Sequence, residues 1–137
     1  MRLLIHTDGA SKGNPGSAGI GVVFYRDGES EPLATLAEKI PDTTNNVAEY
    51  KALLRGLQEA LLRGAEEVEV RTDSELMAKQ IGGQYAVKSA ELLPLFLEAK
   101  RLLGKFDRAV VLHVRREQNT LADKLANQGV KLPLTGG

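Results

Sequence analysis

The sequence predicts an α/β protein in which one mixed sheet of five strands is flanked by helices. The 137 residues, with 42% hydrophobic and 26% charged side chains, have the length and composition of one globular domain. Apolar residues first alternate, as in strands, and then recur at helical spacing between further short strands. The resulting order is β-β-β-α-β-α-α-β-α, and the helical crossover between the last two strands makes those two parallel.

Three strands are predicted at the start of the chain. The first covers residues 2–7, and the glycine-rich stretch over 8–19 predicts a turn or tight loop after it. The second strand covers 18–26 and the third 32–40, and Asp27-Gly28 predicts a hairpin between them. Because the links are short, we expect these strands to form an antiparallel meander.

Helices and strands alternate in the rest of the chain. Helices are predicted from Val47 to Gly64 and over residues 74–83, 90–103 and 119–128, with strands over 66–72 and 109–114. The nearly continuous apolar run of the last strand is typical of a buried parallel strand. In the last helix we expect Leu121, Leu125 and Val130 to form part of the buried stripe, with Ala122 and Ala126 close by.

The composition excludes several kinds of site. There is no Cys, so disulfides and thiolate metal sites are excluded, and the two His residues lie far apart in the sequence. A catalytic site here therefore depends on carboxylates. No apolar run approaches the roughly 18 residues of a spanning helix, and the first residues lack the apolar stretch of a signal peptide. We expect a cytoplasmic protein, with one domain over residues 1–128 and a flexible tail over 129–137.

The formal net charge of zero conceals an asymmetry. Residues 1–78 carry 8 basic and 13 acidic side chains, a net charge of −5, and residues 79–137 carry 10 and 5, a net charge of +5. This division fits an acidic metal site beside a basic surface that contacts phosphates. Uneven surface charge without function is the alternative.

Two aspartates share one local pattern. Asp8 and Asp73 each follow a Thr at the end of a predicted strand. Because ligands gather at the carboxyl ends of strands in open α/β sheets, the two carboxylates lie side by side if their strands are neighbours. The alternatives are a turn residue before Gly9 for Asp8, and an N-cap of the following helix for Asp73.

Two further acids lie on predicted helices. Glu49 lies one turn into the first long helix, where the alternative is a capping box with Asn46. Asp123 lies inside the last helix, although Asp is about 0.5–0.7 kcal/mol less favourable than Ala there; the alternative is an exposed polar residue paired with Lys124 or a neighbour. Carboxylates suit Mg²⁺, and two divalent cations about 4 Å apart promote phosphodiester hydrolysis by activating water and stabilising the leaving oxygen.

Four segments together resemble the type 1 ribonuclease H family. They are TDGASKGNPGSAGIG at 7–21, TTNNVAEYKALLRGL at 43–57, TDSEL at 72–76 and NTLADKLAN at 119–127. The resemblance implies a ribonuclease H-like fold in which the fourth and fifth strands run parallel to the first. It also implies a monomer that uses Mg²⁺ or Mn²⁺ to hydrolyse the RNA strand of RNA–DNA hybrids, without a protein partner, leaving 5′-phosphate and 3′-hydroxyl ends.

The resemblance also implies residue roles. The four carboxylates that would hold two metal ions are Asp8, Glu49, Asp73 and Asp123, with Asp8 bridging both ions and Glu49 near the 2′-hydroxyl of the scissile nucleotide. The residues expected to contact the hybrid are Gly9, Asn14, Thr44, Asn45, Asn46, Ser74 and Lys88. Amide and backbone groups can read 2′-hydroxyls across the wide minor groove of such a duplex. For the asparagines, helix caps or a plain turn are the alternatives.

The sequence departs from the family pattern at two places. Only residues 115–118 separate the last strand from the last helix, so the His-containing loop of many members is missing, as in the shorter version seen among archaeal and some bacterial members. A basic, Trp-containing protrusion of other members is replaced by a segment whose basic residue is Lys88, which predicts weak and salt-sensitive binding. Arg115 and Arg116 either touch phosphate or form a solvated strand end.

Other functions are compatible with parts of this pattern. They are a binding module that has lost catalysis, another phosphoryl-transfer enzyme such as a junction resolvase or integrase, and a structural protein whose acids are caps and turns. The presence of all four carboxylates argues against the first, and the GNPG and NNVAE segments argue against the second.

Overall fold

The computed structural model describes residues 1–134 and contains the predicted order of elements. The strands are β1 (Arg2–Lys12), β2 (Gly16–Arg26), β3 (Ala34–Thr43), β4 (Glu67–Thr72) and β5 (Arg108–His113). The helices are α1 (Asn45–Leu62), α2 (Glu75–Ile81), α3 (Leu93–Leu103) and α4 (Thr120–Lys131), and a 3-10 turn (Arg116–Gln118) precedes α4. Apart from the end of β1, these boundaries agree with the prediction to within three residues.

The five strands form one mixed sheet in the order β3-β2-β1-β4-β5. β1, β2 and β3 pair antiparallel, β4 pairs parallel with β1, and β5 pairs parallel with β4. The predicted fold class is thus confirmed, including the direction of the fourth and fifth strands. β1 lies at the centre of the sheet, where it has a partner on both edges.

The first strand is longer than predicted. β1 continues past residue 7 because its backbone stays paired with β2 as far as Lys12 and Ser17. The loop predicted from residue 8 was therefore wrong, since its glycines lie largely in a paired hairpin. On its other edge, β1 pairs with β4 only as far as Thr7 and Thr72. Asp8 consequently lies within a strand, at the point where one of the two edges of that strand loses its partner.

Helix α1 covers one face of the sheet. Leu53 and Leu57 of α1 are fully buried with Ile5 of β1 and Val70 of β4 in the main core cluster. Each such side chain stabilises the fold by roughly 1.5–3 kcal/mol when it is removed from water. The core therefore fixes α1 against the two strands that carry the predicted aspartates.

Helix α4 packs closely on the opposite face, across β2 and β3. A Cβ at Gly19 or Gly21 of β2 would overlap the α4 backbone. The buried residues of α4 are accordingly small, and they are Ala122, Ala126 and Gly129. The predicted stripe was wrong for Leu121, which is 37% exposed, because the close approach leaves no room for a large side chain. Leu125 and Val130 are partly buried.

Strand β5 is an edge strand rather than a strand buried on both faces. Its apolar run packs on the rest of the core through Ala109 and Val111, while Leu112 and His113 are exposed. Periodicity alone does not distinguish a central strand from an edge strand when both are apolar.

The last helix continues further than predicted. α4 ends at Lys131, with Gly129 buried and the Val130 carbonyl accepting a hydrogen bond from Lys39 Nζ at 3.0 Å. The flexibility of the tail stays a prediction, and residues 135–137 of it lie outside the described residues. Within residues 1–134, no helix is long and apolar enough to cross a membrane.

Candidate active site

Two aspartates lie side by side where β1 and β4 part. Pairing between β1 and β4 ends at Thr7 and Thr72, and Asp8 and Asp73 follow them directly. Asp8 is only 4% exposed. Asp73 is not the N-cap of α2, because that position belongs to Ser74, whose hydroxyl accepts the Met77 N–H at 3.2 Å. The Asp73 carboxylate is therefore available for another contact.

Glu49 reaches the same place from α1. Its Oε1 accepts the Gly9 backbone N–H at 2.7 Å. A Cβ at residue 9 would overlap the backbone of Ala48 and Glu49, so this close approach of helix and strand requires glycine. The capping box between Asn46 and Glu49 was the wrong interpretation, since Thr44 caps α1. Glu49 is thus held towards β1 rather than towards the start of its own helix.

Three carboxylates converge at this point. One oxygen each from Asp8, Glu49 and Asp73 lies within 4.8 Å of the others. Burial raises the pKa of the Asp8 carboxyl, and the charges of Glu49 and Asp73 raise it further. Burial and the charge of Asp73 also raise the pKa of Glu49, against the opposing effect of the Gly9 hydrogen bond. Arg116 lies 3.8 Å from Asp73 but is 85% exposed, so it compensates little of this negative charge.

This set of donors fits a hard divalent cation. All three ligands are carboxylates, which are the protein groups that Mg²⁺ and Mn²⁺ prefer, and the cluster contains neither Cys nor His. Mutual repulsion in a partly buried cluster is what a bound cation would remove. The three carboxylates could therefore hold a metal ion.

Asp123 borders the same site without belonging to the group of three. It lines the open cleft of about 350 Å³ that also contains Asp8 and Glu49. Its carboxyl lies close enough to Asp8 to contribute to the raised pKa of Asp8. The side chain is held by Asn127, whose Nδ2 donates to the Asp123 carbonyl at 2.9 Å and to Oδ1 at 3.3 Å. Asp123 is thus paired with a neighbour, as the alternative allowed, but the partner is Asn127 rather than Lys124, and Asp123 is half-buried rather than exposed.

Two asparagines of the predicted substrate set have their carbonyl oxygens engaged within the protein. Asn14 Oδ1 accepts the Asn45 N–H at 2.9 Å, and Asn45 Oδ1 accepts the Ser11 N–H at 2.9 Å. The NH₂ groups of both side chains make no hydrogen bond with the described residues. Neither Asn45 nor Asn46 caps α1, so the capping alternative was wrong for both.

The predicted substrate residues fall into three groups. Gly9, Asn45 and Asn46 line the acidic cleft. Asn14, Thr44 and Asn46 line an adjacent pocket of about 280 Å³. Ser74 and Lys88 line neither of them; Ser74 caps α2, and Lys88 is exposed in the segment between α2 and α3.

Sequence reasoning missed the residues that support Asp123. Asn119 is 1% exposed, and its Nδ2 donates to the Thr7 carbonyl at 2.9 Å. Asn127 holds the Asp123 carboxylate and itself accepts a hydrogen bond from Lys12 Nζ. The signal was their spacing, because residues four positions before and after Asp123 lie on the same side of a helix.

The family model described as reverse transcriptase-like matches residues 6–129. Among curated relatives, a bifunctional protein of Mycobacterium tuberculosis is 42% identical over 130 residues, which cover 95% of this chain and 36% of that protein. The chain thus spans little more than a third of the length of this relative.

Solved structures show the same fold at similar identity. Ribonuclease H1 of the archaeon Halobacterium salinarum is 38% identical with a TM-score of 0.91, over 95% of this chain and 98% of that chain. A ribonuclease H1 isolated from compost, solved in complex with an RNA/DNA hybrid, is 40% identical with a TM-score of 0.88, over 93% and 96% of the two chains.

Proposed function

The chain belongs to the type 1 ribonuclease H family, and from this premise we propose that it hydrolyses the RNA strand of RNA–DNA hybrids. The observation that carries the proposal is the convergence of Asp8, Glu49 and Asp73 within 4.8 Å in an open cleft. The substrate class is supported by the compost relative, whose structure contains an RNA/DNA hybrid. We propose that the products carry 5′-phosphate and 3′-hydroxyl ends.

The proposed cofactor is a pair of Mg²⁺ or Mn²⁺ ions, held by Asp8, Glu49, Asp73 and Asp123. When bound, such ions would supply a lowered pKa for an attacking water and stabilisation of the charge on the leaving oxygen. Asp8 is central to the arrangement, because the other three carboxyl groups all affect its pKa. The protein keeps two of these ligands in place through hydrogen bonds, from the Gly9 N–H to Glu49 and from the Asn127 amide to Asp123.

The amides of Asn14, Asn45 and Asn46 are proposed to bind the hybrid. For Asn14 and Asn45, the internal hydrogen bonds occupy the carbonyl oxygens, so the side chains offer NH₂ donors to the duplex. Such donors suit 2′-hydroxyl oxygens and the acceptors of the minor groove, which distinguishes RNA from DNA without reading sequence.

The remaining substrate contacts are proposed to be made to phosphates. The Thr44 and Ser74 hydroxyls already accept backbone N–H groups, and each still has its own proton to donate. Lys88 is exposed next to Ser89, which lines the pocket beside Asn14, and this position supports a contact between Lys88 and a phosphate of the duplex. Few positive groups contribute, so we expect weak binding with a shallower salt dependence than the sequence alone suggested, because the slope of log K against log salt scales with the number of neutralised phosphates.

Cleavage of labelled duplexes tests the proposal. RNA–DNA, RNA–RNA and DNA–DNA duplexes of one sequence are incubated with Mg²⁺, with Mn²⁺ and with EDTA, and the product ends are identified by their sensitivity to phosphatase. We expect cleavage of the RNA strand of the hybrid, with 5′-phosphate ends, in the presence of either ion. Cleavage of the DNA–DNA duplex, or activity that survives EDTA, would contradict the proposal.

A further inference from the structure

Asn119 occupies the N-cap position of α4 but does not cap the helix. An Asn at this position ordinarily accepts a hydrogen bond from a backbone N–H of the first turn, and this side chain makes none. Its Nδ2 instead donates to the Thr7 carbonyl at 2.9 Å, 112 positions away in the sequence, in a fully buried environment. The Asn119 side chain, which is well suited to cap a helix, thus binds β1 instead of its own helix.

The Thr7 carbonyl sets the orientation of this amide, and His6 lies against its oxygen. His6 Nδ1 lies 3.3 Å from Asn119 Oδ1. Because Asn119 Nδ2 faces the Thr7 carbonyl, Oδ1 is the acceptor, so Nδ1 of His6 carries the proton. A flipped amide would place its oxygen against the buried Thr7 carbonyl and leave that carbonyl without this partner. The two side chains therefore specify a single arrangement.

The Thr7 carbonyl lies where β1 stops pairing with β4. It belongs to the residue before Asp8, where pairing with β4 ends. On the other side of Asp8, the Gly9 N–H is bound by Glu49 of α1. The backbone on each side of Asp8 is thus hydrogen-bonded to a side chain. Glu49 of α1 binds residue 9, and Asn119 at the start of α4 binds residue 7.

We propose that Asn119 is a positioning residue that sets Asp123 against Asp8, with His6 as its support. Asn119 lies one helical turn before Asp123, and the backbone carbonyl of Asn119 accepts the backbone N–H of Asp123 at 3.1 Å. A shift of Asn119 relative to Thr7 is transmitted directly to the backbone of Asp123. The proposal rests on the proposed function, since it assigns Asn119 a role in the metal site rather than only in the fold.

A double-mutant cycle tests the role. Mn²⁺ binding is measured by calorimetry for the wild type, Asn119→Ala, Asp123→Asn and the double variant, together with the Mn²⁺ concentration that gives half-maximal cleavage of the hybrid. We expect Asn119→Ala to raise both the Kd for Mn²⁺ and the Mn²⁺ concentration for half-maximal cleavage by about tenfold, as is usual when a partner of a metal ligand is lost. KM for the hybrid should change less than twofold. In the Asp123→Asn background, Asn119→Ala should have no further effect.

The outcomes separate the two proposals. If the wild type cleaves the hybrid and Asp123→Asn weakens Mn²⁺ binding, but folded Asn119→Ala behaves like the wild type, then the positioning role is wrong and the proposed function stands. Additive effects in the double variant also overturn it, since Asn119 would then act through the fold. A wild type that neither binds Mn²⁺ nor cleaves the hybrid overturns both.

Two further variants complete the design. Gln128→Ala, on the exposed side of α4, is the matched control and should leave Mn²⁺ binding unchanged. If Asn119→Ala does not fold, His6→Ala replaces it in the cycle, because His6 is only partly buried and acts on Asp123 only through Asn119. We expect His6→Ala to raise the Mn²⁺ requirement in the same direction, and an unchanged requirement would overturn the proposal.

Discussion

Thr7 of β1 and Thr72 of β4 form the last pair of a parallel ladder, and an aspartate follows each of them. Since parallel strands end at the same edge of the sheet, this pairing alone brings Asp8 and Asp73 together. β1 continues on its other edge with β2, so Asp8 is held by a strand rather than by a loop. The arrangement gives one carboxylate a rigid, buried position at the mouth of an open cleft, which is what a shared metal ligand requires.

Replacing Asp8 should separate activity from stability. Asp8→Asn keeps the shape of the side chain but removes a carboxyl whose ionisation is opposed by burial and by the charges of Glu49 and Asp73. We expect hybrid cleavage to fall by about a thousandfold or more, the effect of losing several kcal/mol of metal-dependent stabilisation. In EDTA, we expect the variant to be more stable by about 1 kcal/mol, because folding no longer has to bury a carboxyl beside Glu49 and Asp73, and this raises Tm by about 3–6 °C for a domain of this size.

Asp42→Asn is the matched control, since Asp42 is exposed. It should change neither the rate of cleavage nor Tm beyond the experimental error. An Asp8→Asn variant that cleaves at the wild-type rate would refute the assignment of the site.

The stability of the metal-free protein should depend on pH with a defined sign. The pKa values of Asp8 and Glu49 are raised in the folded state, mainly by burial, so above about pH 4 the folded protein holds more protons than the unfolded chain. The free energy of unfolding therefore decreases as pH rises towards the folded pKa values, by at most about 1.4 kcal/mol per pH unit for each proton.

Urea unfolding in EDTA between about pH 7 and pH 9 measures this dependence. Burial lowers the pKa of His6, so His6 stays neutral in this window and does not contribute. We expect a shallower slope for Asp8→Asn than for the wild type, and a shallower slope for the wild type in Mg²⁺ than in EDTA. Parallel curves for the wild type and Asp8→Asn would show that Asp8 does not take up a proton in the folded state.

The edge of the sheet that carries Asp8 and Asp73 could be predicted from local sequence, because the strand-Thr-Asp pattern occurs twice and parallel neighbours share an edge. The length of β1 could not, since it depends on pairing with β2 across the hairpin and not on the residues 8–12 themselves. The edge position of β5 likewise follows from the strand order, whereas its apolar residues resemble those of a central strand.

The spacing of Asn119 and Asn127 from Asp123 was visible in the sequence, but the long-range contacts that they make were not. Asn119 contacts Thr7, and Lys12 contacts Asn127, across more than 110 positions of the chain. Neither contact has a local pattern of its own. The small buried residues of α4 have a comparable explanation, because they are set by glycines of β2 that a helical periodicity does not reveal.

Glycine at position 9 should be required for the approach of α1 to β1. In Gly9→Ala, the new methyl group overlaps the backbone of Ala48 and Glu49, so α1 has to move or β1 has to bend. We expect a loss of about 1–3 kcal/mol in the free energy of unfolding, as for other overpacked sites. Cleavage by the folded variant should also fall, because Glu49 loses its hydrogen bond to the Gly9 N–H.

Gly104→Ala provides the comparison for this variant. A Cβ at residue 104 makes only ordinary contacts, 3.5 Å from the Arg101 carbonyl oxygen. Urea unfolding and cleavage rates of Gly104→Ala should match those of the wild type. Equal effects of the two substitutions would show that the crowding at Gly9 is not the cause.

Arg116 should contribute to binding of the hybrid but not to stability. It lines the acidic cleft and lies 3.8 Å from Asp73, yet it is 85% exposed, and surface pairs of this kind stabilise a fold by no more than about 1 kcal/mol. We expect Arg116→Ala to raise KM for the hybrid several-fold and to reduce the dependence of log KM on log salt by about one unit, the effect of one lost phosphate contact.

The preceding residue, Arg115, is the natural control. It is exposed and does not line the cleft. KM values measured over a series of KCl concentrations distinguish the two variants. If Arg115→Ala and Arg116→Ala change KM and its salt dependence equally, Arg116 has no specific contact and only the total charge matters.

The amide of Asn45 should act as a donor to the substrate. Asn45→Asp keeps an oxygen that accepts the Ser11 N–H, so the local fold is retained, but it replaces the NH₂ group with a second oxygen. We expect KM for the hybrid to rise about tenfold, which corresponds to about 1.4 kcal/mol, the size of one lost hydrogen bond, while Tm changes little.

Gln58→Glu adds the same charge at an exposed position of α1 and controls for general repulsion of the duplex. Because salt screens charge but does not restore a donor, the increase for Asn45→Asp should persist at high salt, whereas any effect of Gln58→Glu should disappear. An Asn45→Asp effect that vanishes at high salt would show that the added charge, and not the lost donor, weakens binding.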